Sequence, residues 1–203
     1  MATADITRLM NNLRVQLPGA IDGVIQLEIY NAMNEFFQDS NVWREDIDVP
    51  VVPNTLNYTI VPTATASIVR LIGVVDNYER PVGAVLDLLN DNELALFNSP
   101  SEAVTYTAQV SLTVNEPLDN EGFPTFPAWV LNLYMSDFIS GVLSRMLAQP
   151  AKPYTNAQLA AYHGTAFRGA ISKARSEANR RYTYRNQVWR FPRGWSRNKA
   201  ARG

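Results

Sequence analysis

The chain has 203 residues, no cysteine and one histidine, which excludes disulfides, thiolate metal sites, cysteine catalysis and multi-histidine metal sites. Its net charge of −1 conceals two opposed pieces: residues 1–167 hold seven basic and eighteen acidic side chains, residues 168–203 eleven basic and one acidic. The 46% hydrophobic content suits a folded core. With no apolar run near the ~18–20 residues of a membrane span and no signal-peptide pattern at the start, a cytoplasm-like compartment is expected.

In chain order, Ile6, Leu9, Met10 and Leu13 recur at helical spacing, and Pro18-Gly19 ends that short helix. A longer helix is expected over residues 20–38, with Ile21, Ile25, Ile29, Met33 and Phe36–Phe37 as its core stripe. Asp39-Ser40-Asn41 supplies the turn that stops it. The period then changes to two. Strands are expected over residues 42–49, 55–61, 67–76 and 80–85, and over 103–114, where Val104, Tyr106, Ala108, Val110, Leu112 and Val114 share a face. Residues 91–98 read as one or two helical turns. Prolines at 50, 53, 62, 100 and 117 confine the region to short antiparallel strands.

Helical spacing returns after Pro127. Apolar groups on both sides, Trp129 and Leu133 opposite Val130, Tyr134 and Phe138, predict a well-buried helix ending near Gln149-Pro150. Thr155 or Asn156 caps the last helix, whose inner face is Leu159, Ala160, His163, Phe167, Ala170, Ile171, Ala174 and Ala178. The order predicts an α+β protein. An antiparallel bundle of about four helices (residues 1–40 and 123–184) carries an inserted small antiparallel β lobe (41–122) and an extended C-terminal tail (185–203).

Catalytic chemistry finds little support. His163 sits inside a structural helix and reads as a packing residue with one hydrogen bond. Glu45, Asp46 and Asp48 read as a solvated face, or as a patch against a neighbouring subunit, rather than a metal site. No glycine pattern for binding phosphate is present. Trp43 and Trp129 read as large core anchors. No metal, cofactor or catalytic residue is assigned.

The tail differs. Exposed aromatics gain nothing in water, so Arg185, Trp189, Arg190, Phe191, Arg193, Trp195 and Arg197 together suit a partner surface: rings for pockets, guanidiniums for carboxylates and carbonyls. A merely solubilising basic end is the plain alternative. Nucleic-acid binding is another, because arginines interleaved with aromatics also fit phosphates and bases.

Phe36-Phe-Gln-Asp-Ser-Asn-Val-Trp-Arg44, the strand with Tyr58, Val69-Arg-Leu-Ile-Gly-Val-Val75, the aromatic approach to the third helix, the helix with Leu159, His163, Phe167 and Ile171, and the arginine-rich end follow one another in order. This series resembles the head-to-tail connector (adaptor) proteins of tailed bacteriophages over most of the chain. The resemblance implies a structural virion protein, not an enzyme, in a ring usually of twelve copies in the neck between capsid and tail. The C-terminal segment would dock into the portal protein, the opposite side would recruit a tail or nozzle protein, and double-stranded DNA would pass through the lumen without specific binding.

Overall fold

The computed structural model describes residues 6–63, 66–90, 92–115 and 126–182. It is an α+β structure of four helices and two small antiparallel sheets. The helices are α1 (Thr7–Gln16), α2 (Asp22–Ser40), α3 (Ala128–Met146) and α4 (Ala157–Tyr182). Between α2 and α3 run β1 (Arg44–Val51), β2 (Asn57–Thr59), β3 (Ala66–Val75), β4 (Pro81–Val82), β5 (Ala84–Asp87), β6 (Glu93–Leu96) and β7 (Val104–Val114).

Helix α1 buries Leu9, Met10 and Leu13, as its spacing predicts. Gly19, at φ +81, makes the left-handed turn that a side chain disfavours. Arg14 then grips Asp22 through Nε (2.9 Å) and Nη2 (2.7 Å), holding the Asp22 carboxyl below its ordinary range. Ile25, Ile29, Met33, Phe36 and Phe37 form the buried stripe of α2. Ile21 does not join it: it occupies the N-cap with extended backbone and is exposed. Asn41 ends the helix at φ 52, its N–H donating to the Phe37 carbonyl at 3.0 Å.

The four-stranded sheet has the order β1-β7-β3-β4, and β2-β6-β5 form the second sheet. Gly83 separates β4 from β5, so the single strand expected over residues 80–85 divides between two sheets. Residues 93–96 are strand β6, not helical turns. Leu94 and Leu96 are buried while the backbone pairs with β2 on one side and β5 on the other. A four-residue alternation satisfies that ladder and is too short to reveal a helical period.

At residues 110–114 of β7 both faces are buried. Val110, Leu112 and Val114 enter the core. On the opposite face the Ser111 hydroxyl donates to Asn41 Oδ1 (3.2 Å) and the Thr113 hydroxyl to Asn34 Oδ1 (2.7 Å), so α2 covers this end of the sheet.

Aromatic packing joins the helices. The Phe36 ring lies 4.9 Å from Tyr134, 5.1 Å from Phe138 and 6.2 Å from Phe167 between centroids, and Phe37 stacks edge-on to Trp43 at 5.3 Å. Trp43 therefore anchors the first strand to α2, as its size predicts. Trp129 does not behave this way. With Leu133 it faces outward, 36% and 54% exposed, so the first half of α3 buries mainly the side carrying Val130, Tyr134 and Phe138, while Val142, Leu143 and Met146 are buried around the second half, as expected of a well-buried helix. Helix α4 likewise buries one stripe, Ala160, Phe167, Ile171, Ala174 and Ala178, while Leu159 is exposed. Gly141 of α3 allows the two helices to approach closely: a Cβ there would lie 2.8 Å from the Phe167 ring of α4.

Candidate functional site

Arg185, Trp189, Arg190, Phe191, Arg193, Trp195 and Arg197 lie outside the described residues. What the structure places is the root of that segment. Asn156 caps α4 by accepting the Leu159 N–H at 3.0 Å, and 26 helical residues follow. Near its far end Arg175 Nε donates to the Asp39 carbonyl (2.6 Å), with a guanidinium nitrogen 3.8 Å from the Asp39 carboxylate. One turn later Asn179 Oδ1 accepts from Arg44 Nη2 at 3.2 Å, and Arg44 Nε also donates to the Asn41 carbonyl at 2.9 Å.

These contacts close the last turns of α4 onto the end of α2 and the start of β1. The Arg175 guanidinium donating to the Asp39 carbonyl also illustrates why cations suit the C-terminal end of a helix, here α2, where carbonyls lack partners. Neither Asn179 nor Arg44 was marked as functional by residue type or spacing. Their meeting across 135 residues has no local sequence signal.

Beyond Arg44 the sheet face is open. Asp46 and Asp48 alternate onto the same face as Arg44 and are exposed, and Asp48 Oδ1 accepts from the Thr107 hydroxyl at 3.3 Å. Glu45 points the other way and accepts the Thr63 N–H at 2.8 Å. The three acids therefore split between the two faces of one strand, and among the described residues no metal-holding cluster of acids and histidine occurs.

His163 is half-buried, and its Nδ1 has no hydrogen-bond partner among the described residues. Burial holds the imidazole below its ordinary pKa. Asp137 is pushed up by burial, against the opposing pull of Lys173. Asp137 stands on α3 and His163 on α4, and no hydrogen bond joins the two among the described residues. Among the described residues no helix is long and apolar enough to cross a membrane.

Two further surface features escape the sequence reading. A groove of about 570 Å³ runs between α2 and β3, lined by Tyr30, Asn34, Gln38, Ser67, Leu88 and Thr113. Beside it, the loop after β5 exposes Leu88 and presents Leu89 with 99% of its surface open, while the Leu89 N–H donates to Asp87 Oδ1 at 3.0 Å. The Leu-Leu pair within an Asp/Asn-rich turn was the available sequence signal. No protein-family model matches the chain, and no curated protein sequence is similar to it.

Proposed function

We propose that this chain is a structural assembly protein, the head-to-tail adaptor of a tailed bacteriophage, and that its C-terminal tail docks onto the portal. One observation carries the reading. Helix α4 is fastened to α2 and β1 by Arg175 and Asn179 within its last turns, and leads directly into the segment that holds Arg185, Trp189, Arg190, Phe191, Arg193, Trp195 and Arg197. A rigid mount supporting an arginine- and tryptophan-rich segment suits docking, because hot spots concentrate in those residue types.

In this reading the four helices act as an antiparallel bundle, the strands between α2 and α3 as an inserted lobe, and residues 185–203 as an extended arm. Copies form a ring, usually of twelve, in the virion neck, with a tail or nozzle protein on the side away from the portal. Many weak arms engaging one ring gain avidity. The acidic balance of residues 1–167 suits a lumen through which double-stranded DNA passes without being held. The work is assembly rather than catalysis, with no cofactor.

The test compares capture by the portal protein of the full chain and of a chain ending at Tyr182. Retained folding with lost capture supports the reading; equal capture ends it. The basic, aromatic composition of the tail favours one second reading, nucleic-acid binding. That reading requires DNA affinity falling steeply as salt rises, and no binding at low salt eliminates it.

A further inference from the structure

The first turns of α3 carry an apolar ridge that the described fold leaves open. Trp129 and Leu133 stand four residues apart and are both exposed, and just after them, at Tyr134, the backbone departs from helical values (φ −120, ψ 15). Asp137 follows in the next turn, half-buried and without an ion pair among the described residues. Lys173 of α4 attracts its carboxylate without closing onto it. A single exposed leucine is ordinary on a protein surface, but a tryptophan beside a leucine forms the kind of patch that a partner covers.

The groove between α2 and β3 has the complementary form. Its lining encloses about 570 Å³ and includes no charged side chain. The Thr113 hydroxyl and Gln38 Nε2 both donate to Asn34 Oδ1, at 2.7 and 3.0 Å, which ties the polar side chains of the wall together. β4 pairs with β3 only at Val74 and Val75, so from Ala66 to Gly73 no described strand lies along that edge. Arg70 spans the end of the groove: its Nη2 donates to the Gln38 carbonyl at 3.1 Å, and no described acid pairs with it. Leu88 forms part of the wall, and Leu89 is open beside it.

We propose that Trp129 and Leu133 of one copy pack into the α2–β3 groove of a second copy of this chain, with Asp137 on that copy's Arg70. Charge selects the occupant: the ridge brings an acid without a paired cation, and the groove offers a cation without a paired acid. The mode is a helix laid into a groove, its apolar groups one turn apart, and the volume lies within the ~300–1,000 Å³ of cavities that hold compact groups. Ridge and groove use different residues, so the contact is heterologous, and each copy gives its ridge to one neighbour and its groove to the other. Contacts of this type propagate and close into a ring when the rotation between copies divides a full turn. The second apolar side of α3 then gains its cover. This inference rests on the ring assembly proposed above and names its interface, but its test uses no portal.

The chain has no cysteine, so introduced thiols report one contact alone. Leu133→Cys and Leu88→Cys, both at exposed positions, are made in separate full-length chains, mixed, and treated with a short bismaleimide. The expected result is a mixed crosslinked pair, no pair from either variant by itself, and a ladder beyond the dimer when both cysteines are in one chain. Asp137→Arg in the Leu133→Cys chain should lower the mixed yield about tenfold, Arg70→Asp in the Leu88→Cys chain should do the same, and the two together should restore it. Asp137→Asn lowers the yield in the same direction and replaces the arginine variant if that chain does not fold. Absence of the mixed pair at the highest soluble concentration overturns the proposal. Pairs from Leu133→Cys alone also overturn it, because two ridges then meet in a two-fold dimer, as does a yield indifferent to both charges. A ladder without portal capture rejects the adaptor reading alone; portal capture by chains that give no mixed pair rejects this inference alone.

Discussion

Arg44 Nη2 donates to Asn179 Oδ1 at 3.2 Å and thereby joins the first residue of β1 to the last turns of α4. Arg44 is also held by the Asn41 carbonyl, so the contact is made by a guanidinium already fixed in place. Asn179→Ala should weaken the end of α4 by about 0.5–1.5 kcal/mol. Hydrogen exchange of residues 176–182 should quicken, while the centre of α3 stays as it was. Unaltered exchange at the helix end would show that Ala174 and Ala178 hold it without the asparagine.

Phe36 is fully buried and contacts rings from α3 and α4. Phe36→Ala should destabilise the chain by about 3–5 kcal/mol. Urea denaturation should show a lower midpoint with little change in slope. Gly141→Ala tests the same packing from the other side: its Cβ would lie 2.8 Å from the Phe167 ring, and the overpacking should cost about 1–3 kcal/mol.

Arg145 of α3 lies between two carboxylates of α2, bonded to Glu35 and 3.8 Å from Glu28. Arg145→Ala leaves the mostly buried Glu28 without its cation and should cost about 1–3 kcal/mol. Adding Glu28→Gln should recover part of the loss. If the double variant is no more stable than Arg145→Ala, the pair with Glu28 contributes nothing measurable.

His163 gives the fold a pH dependence of definite sign. Its folded pKa lies below the unfolded value because burial disfavours the charged ring. The unfolded chain thus binds the proton more readily, so this stability is present above the ordinary histidine range and is lost as pH falls from there toward the folded pKa. Stability measured at pH 7.5 and pH 5 should drop less in His163→Gln than in the parent. Asp137 acts with the opposite sign, since its raised pKa makes protonation favour the fold as pH falls.

The helices were readable because each buries a stripe wide enough to show its period. Leu9, Met10 and Leu13, then Ile25, Ile29, Met33 and Phe36–Phe37, recur at helical spacing and are buried. β7 was readable for the same reason at period two. Trp129 and Leu133 misled because their hydrophobicity matches core residues, while their exposure depends on which neighbours cover α3. Residues 93–96 misled because four residues do not separate a strand from a turn of helix, and β2 and β5 supply the hydrogen bonds that decide. Of the candidate site, composition marked the basic aromatic end, but nothing local marked its mount.

The sequence alone determined the four helices, the presence of short antiparallel strands, and the division between an acidic body and a basic aromatic end. These depend on local period, turn chemistry and charge, which a chain carries before it folds. Only the tertiary structure decided that Asn179 meets Arg44, that β1 is the terminal strand of its sheet among the described residues, and that Asp46 and Asp48 share the face of Arg44. The reason is physical: pairing and packing bring together groups more than a hundred residues apart, and no local period encodes which distant surface will cover a given face.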